Sequence, residues 1–312
     1  MLGSRGSMAC LATAAALLAG CGGPAAEMNQ RLASLPVGLK EAVRDAVWAH
    51  GDPYNWTAQQ SVLVSAQCWD YRHGPQPVFS RKVYLLDFKS RRLRIDDLSE
   101  QSIALHDGLS WRVFVRGQEM QRPTAINRDT IGFLAMLEYA AGEMRTFRLL
   151  FGLPFTLLET GVRLSDKGRV HDVTGAAHWN VAEASFDPGV AGFLRSDRLL
   201  VYFDPLRGFV DRVYMDLSDA PFYGIRHWGE WSDYRRLGNG LLLAHRWDFH
   251  VMDDQGQAAA GLKLTVVFDR IAFNVQLPAG VFSNPQVEMP QPPREPVSQN
   301  AQAADDAGGA AK

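Results

Sequence analysis

A run of alternating apolar and polar residues from Asp197 to Pro285 leaves this chain the least freedom in what it can fold into. RSDRLLVYF and FVDRVYMDL flank the turn Asp204-Pro205-Leu206-Arg207-Gly208, and WGEWSDYRRL and LLLAHRWDFHV flank Gly238-Asn239-Gly240. LKLTVVFDRIAFNV then runs into Leu277-Pro278 and Phe282-Ser283-Asn284-Pro285. Period-two patterning with turn residues at each break specifies an antiparallel meander. Within LLLAHRWDFHV, parity puts Leu241, Leu243, His245, Trp247, Phe249 and Val251 on one face, and Arg246, Asp248 and His250 on the other. In FVDRVYMDL, Phe209, Val213, Met215 and Leu217 share a face that Asp211 interrupts. In the last strand Leu262, Leu264, Val266 and Phe268 share one parity, while Ile271, Phe273 and Val275 take the other. That switch predicts a bulge near Asp269-Arg270, which would curve the sheet.

The residues before the meander divide into blocks. Residues 39–50, LKEAVRDAVWAH, form an amphipathic helical pattern stopped by Gly51-Asp52-Pro53. Short strand-like runs follow at Ser61–Tyr71, Arg81–Lys89, Arg91–Asp96, Ser102–His106 and Trp111–Arg116, with a hairpin signal at Asp107-Gly108. Residues 127–151 read as helical from an N-cap at Asn127, with Leu134, Leu137, Ala141 and Met144 in a stripe. Ile131, Met136, Tyr139 and Phe147 lie off that stripe, so the segment is apolar on more than one side. Core packing or the lining of an apolar cavity would each account for it. Strands resume at 170–174 and 178–186.

The N-terminus supplies an address. Arg5, the apolar run Met8–Leu18 and the tetrapeptide Leu18-Ala19-Gly20-Cys21 have the layout of a secretory signal over residues 1–20. The tetrapeptide resembles the lipobox of bacterial lipoproteins, in which the cysteine carries acyl chains such as palmitate and becomes the mature N-terminus. Cys21 is therefore the expected lipidation site and the membrane the expected partner through it. Gly22, rather than Asp, after the cysteine resembles lipoproteins sent on to the outer membrane, and that resemblance implies an anchor there facing the periplasm. Residues 21–38 read as a lipidated tether, 39–286 as the folded domain, and the Pro-rich and then polar stretch 287–312 as a disordered tail. With Cys10 in the signal and Cys21 lipidated, Cys68 is left alone and expected as a buried apolar residue.

Catalytic and metal chemistry find little support. The chain has 312 residues, 46% of them hydrophobic, and a net charge of -2 with no basic stripe, which argues against nucleic acid as a partner. His245 and His250 fall on opposite faces of one strand and cannot chelate together. His227, Trp231 and Asp233 share a parity, but spacing alone makes no site. No nucleophile elbow, zinc motif or phosphate loop is present, so neither an enzyme nor a cofactor is expected.

Three segments, YFDPLRGFVDRV, WSDYRRLGNGLLLAHRWDF and FDRIAFNVQLPAGVFSNP, together resemble the C-terminal half of LolA/LolB-type lipoprotein carriers and related envelope lipoproteins. The resemblance implies an α+β fold: a strongly curved antiparallel sheet, an unclosed half-barrel, capped by helices that here would be residues 127–158. It also implies an apolar space able to hold a lipid or acyl chain, which needs a dry concave surface and no charged group. The lining expected on this basis comprises Phe133, Leu137, Phe151 and Phe155 from the cap and Trp247, Phe249 and Phe268 from the sheet. The alternative is an envelope scaffold or stress sensor whose filled core leaves protein partners as its only ligands.

Overall fold

In the computed structural model, described residues run from 23 to 291, apart from 72, 73, 75, 109, 121–141, 173, 174, 176, 188–196, 218–225 and 253–257. Among the described residues three helices come first: α1 (Pro24–Ser34), α2 (Val37–His50) and α3 (Pro53–Thr57). Six strands follow: β1 (Ser61–Asp70), β2 (Val78–Asp87), β3 (Arg92–Asp97), β4 (Ser102–His106), β5 (Trp111–Val115) and β6 (Gln118–Glu119). Residues 142–151 are helical (α4) and lead to a 3-10 turn at Phe155–Leu158. Seven more strands follow among the described residues: β7 (Val162–His171), β8 (His178–Phe186), β9 (Arg198–Phe203), β10 (Val210–Asp216), β11 (Arg226–Arg236), β12 (Leu242–Met252) and β13 (Ala258–Phe273).

All thirteen described strands belong to one antiparallel sheet, in the order β6-β5-β4-β3-β2-β1-β13-β12-β11-β10-β9-β8-β7. Two meanders thus run outward from a central seam, β1 against β13, where Val62 pairs with Phe273 and Asp70 with Leu264. The two β-rich halves of the sequence form one sheet, and that sheet is not closed: β6 and β7 stand at its two edges.

The bulge expected near Asp269-Arg270 is present. Ser65 pairs with Arg270 and Ala66 with Phe268, leaving Asp269 as the extra residue. Its carboxylate accepts hydrogen bonds from Gln67 Nε2 at 2.8 and 2.9 Å. Further register shifts leave Asp211 and Lys167 as extra residues in β10 and β7. Each such insertion bends its strand and increases local twist. The effect is visible in side-chain reach. The Phe147 ring of α4 lies 3.9 Å from the Tyr84 ring on β2, 6.0 Å from Trp247 on β12 and 6.1 Å from Phe268 on β13. Strands β2 and β12 are three positions apart, about 14 Å on a flat sheet, so one ring can touch both only where the sheet is concave.

The helices fill that concave face. Val43, Ala46 and Val47 of α2 are fully buried against it, and Trp56 of α3 stacks on Phe155 at 4.8 Å with a 5° interplanar angle. The expected helix at 39–50 is α2. Its start is capped by Pro36 without a side-chain bond, and it ends at Gly51, whose φ of 121° suits only glycine. Asp52 then caps α3, accepting from the Asn55 amide at 2.9 Å.

Three expectations need correction. Within the stretch read as a tether, Pro24–Ser34 is helical. Ala25, Met28 and Leu32, at spacings of three and four, bury one face, while Arg31 donates to the Val162 carbonyl. Strand β7 starts at Val162 rather than 170; as an edge strand with most of its side chains exposed it carries little apolar pattern. In FVDRVYMDL the bulge at Asp211 breaks parity, so fully buried Val210, not half-buried Phe209, joins Val213 and Met215 in the core.

The opposite face of the sheet has its own small core. Leu63 and Leu85 pack there with Val281 and Phe282 from the segment after β13. Arg94, 2% exposed, secures that segment: its guanidinium meets the Asp96 carboxylate at 2.7 and 2.8 Å and donates to the Val281 and Val287 carbonyls at 3.2 and 2.6 Å. Of the expected tail, 287–291 lie among the described residues and 292–312 outside them.

Candidate functional site: a cavity between helix 142–151 and the sheet

Helix α4 crosses the concave face over β2, β1, β13 and β12, and a cavity of about 210 Å3 remains beneath its first two turns. Glu143, Thr146, Phe147 and Leu150 border it from the helix, following the three- and four-residue spacing that puts side chains on one helical face. The sheet contributes Cys68 from β1, Trp247 and Phe249 from β12, and Leu264 and Val266 from β13, which make the floor apolar. Inward-facing parity brings these residues together: Cys68 sits across from Val266, which in turn sits across from Trp247.

One side is polar. Lys82 of β2 donates to both carboxylate oxygens of Glu143 at 2.8 Å, and the Tyr84 hydroxyl donates to Oε1 at 2.7 Å. The Tyr84 ring is parallel to Phe147 at 3.9 Å, so one residue stacks on α4 and bonds to it as well. Asp97, paired with Lys82 across β2–β3, has a carboxylate oxygen 3.8 Å from the ammonium. Lys82 and Glu143 side chains are only 12% and 19% exposed, so the pair is largely removed from solvent. The Thr146 hydroxyl, buried one turn beyond Glu143, has no hydrogen-bond partner among the described residues.

Burial pushes the Cys68 thiol up to about 12; Lys82 opposes this shift, and Glu143 and Asp97 add to it. The thiol is thus protonated and apolar at neutral pH, as expected for the lone cysteine.

Of the lining residues expected from sequence, Trp247 and Phe249 border the cavity. Phe151, Phe155 and Phe268 are not in its lining. Phe155 is stacked beneath Trp56, while Phe151 and Phe268 pack edge-on at 6.2 Å within the adjoining aromatic core. Phe133, Leu137 and Cys21 lie outside the described residues. Sequence reasoning missed Lys82, Tyr84, Glu143 and Thr146. Tyr84 carried a usable signal, since it shares parity with Leu86 on the inner face and Lys82 belongs to the same row.

The histidines behave as parity required. His245 is buried on the inner face, with Nδ1 3.1 Å from the Leu243 carbonyl, and His250 lies on the other. Asp233, expected to share a face with His227 and Trp231, has φ 51° and is exposed, while those two are buried. No group of three or more His, Cys, Asp or Glu suited to a metal occurs among the described residues.

Fold and site together define an open antiparallel sheet whose concave face, roofed by helices, keeps an apolar cavity with one polar wall. The chain is similar to a LolA superfamily protein from Nitrosomonas europaea, with 10% identity and a TM-score of 0.49 over 80% of this chain and 98% of that one. It is also similar to an outer membrane lipoprotein-sorting protein domain from Vibrio parahaemolyticus, with 10% identity and a TM-score of 0.45 over 78% and 95% of the two chains. A DUF1329 family protein from Desulfovibrio piger aligns with 10% identity and a TM-score of 0.47 over 80% and 98%. No family profile and no curated protein sequence matches the chain.

Proposed function

We propose that the protein is a lipid-anchored lipoprotein of the bacterial envelope that binds a hydrophobic ligand, a lipid or part of an acyl chain, beneath α4. The observation that carries this reading is the unfilled space of about 210 Å3 over Trp247, Phe249, Leu264 and Val266, in a protein whose core is otherwise packed with large side chains. A dry cavity somewhat smaller than this suffices to bind benzene, so a short stretch of hydrocarbon is a fitting guest. Binding of this kind needs only apolar surface removed from water, and the proposed role is non-catalytic. Anchoring rests on Cys21 in its lipobox-like setting, which would hold the domain at the outer membrane facing the periplasm, in a lipid- or lipoprotein-trafficking role.

Native mass spectrometry of the full-length protein, released gently from its own membranes, tests the binding half. A stoichiometric lipid-sized adduct is expected; a bare protein mass, with no uptake of added lipid, would overturn it and favour the scaffold reading. Membrane fractionation tests the anchor. Cys21→Ser should move the protein into the soluble fraction, and a variant that stayed acylated and membrane-bound would refute the lipidation site.

A further inference from the structure

The cavity's polar wall has a sign. Among the described residues that border it, a single ammonium, Lys82, faces four carboxylates, those of Asp70, Asp97, Glu100 and Glu143. Lys82 is moreover committed, donating to both oxygens of Glu143 at 2.8 Å, so it is poorly placed to receive an anionic head group. A carboxylate offers about four lone-pair sites. Lys82 and Tyr84 together use three on Glu143, and its side chain retains 19% exposure. One turn further along α4, the Thr146 hydroxyl borders the same space without a partner among the described residues. A buried hydroxyl in that state is costly, and a donor arriving with a ligand would satisfy it.

We propose that this cavity selects amphiphiles whose head group is a protonated primary amine, seated between Glu143 and Thr146, over those with a carboxylate or phosphate head. The proposal rests on the reading of the cavity as a hydrocarbon site and adds the chemistry of its head. The ammonium donates to the remaining lone pair of Glu143 and to the Thr146 oxygen while the tail lies over Trp247, Phe249 and Val266. An anionic head in the same place would meet the Glu143 carboxylate with no free cation among the described lining residues to offset it. Charge-assisted bonds are roughly twice as strong as neutral ones, which sets the expected order as amine, then alcohol, then carboxylate.

The experiment titrates octylamine, octanol and octanoate, which share one tail, into the full-length protein at neutral pH, followed by tryptophan fluorescence and calorimetry. Octylamine should bind at least about tenfold more tightly than octanoate, with octanol between them. Glu143→Gln keeps an acceptor for Lys82 and Tyr84 and should shrink the gap between amine and carboxylate. Thr146→Val is isosteric, leaves the Lys82–Glu143 pair intact, and should weaken the amine and the alcohol while sparing the carboxylate. Equal binding of all three, or tighter binding of octanoate, would overturn the head-group preference and leave the hydrocarbon site standing. Failure of all three, together with failure of benzene to bind, would remove the hydrocarbon site as well.

Discussion

If α4 is held over the cavity by the Lys82–Glu143 pair, these two residues should be energetically coupled well beyond an ordinary surface pair. Their charges lie 2.8 Å apart with side chains 12% and 19% exposed. Coulomb's law at an effective dielectric of about 20 gives a gross attraction of roughly 6 kcal/mol. Desolvation of two mostly buried ions offsets most of that, leaving a net coupling of about 1–2 kcal/mol. The Arg44–Asp45 pair is a built-in control: at 2.9 Å its geometry is similar, but its side chains are 47% and 60% exposed. Solvent screening and side-chain entropy should keep its coupling below about 0.5 kcal/mol. The assay is a pair of double-mutant cycles by urea unfolding, one with Lys82→Met and Glu143→Gln, the other with Arg44→Met and Asp45→Asn. A coupling for Lys82–Glu143 no larger than that for Arg44–Asp45 would refute the view that this pair fastens α4 to β2.

Three further outcomes follow from groups elsewhere in the core. Burial lowers His50 from 6.5 to about 4, against the opposing pull of its hydrogen bond to the Ala46 carbonyl. The folded protein then keeps it neutral while the unfolded chain takes up a proton, so its contribution is complete above pH 6.5 and is lost as pH falls toward 4. Unfolding measured across this window should show a loss of about 3 kcal/mol from this group that is missing in His50→Leu; equal acid limbs would contradict the assignment. Gly229 leaves room for a neighbouring ring, since a Cβ there would lie 2.4 Å from Cζ3 of Trp231. Gly229→Ala should therefore cost about 1–3 kcal/mol in urea unfolding, and a neutral effect would mean that Trp231 is free to move. The Cys68 thiol, pushed up to about 12, should react with a thiol-specific disulfide reagent only after unfolding, and rapid labelling of native protein at pH 8 would show that it is open to solvent.

Local pattern made most of the strands legible, along with α2, the Asp107-Gly108 hairpin and the bulge at Asp269, because each is set by residues within a few positions of one another. What stayed hidden has a common physical character. The β1–β13 seam joins residues about two hundred positions apart, Val62 with Phe273 for example, and no local pattern encodes it. Lys82 and Glu143 are separated by 61 residues, so no local pattern pairs them. Helix α1 exposes so much polar surface that its buried Ala25, Met28 and Leu32 were outweighed by composition. Phe155 and Phe268 were expected to line a ligand site because large aromatics suit one. Their 0% and 1% exposure shows that the concave face needs most of its rings simply to pack against itself. Aromatic content marked the concave face, and only geometry separated the residues that fill it from those left facing the gap.

The cavity itself can be tested by closing it. Cys68 is on its floor, 6% exposed and facing about 210 Å3 of unfilled space, so Cys68→Phe should place a ring in the gap with little loss of stability. Titration of a fluorescent acyl probe into the full-length wild type should give saturable one-to-one binding, and the same titration into the folded Cys68→Phe variant should give none. Unchanged binding by the variant, or no binding by the wild type, would contradict the claim that the space beneath α4 is where a hydrophobic ligand sits.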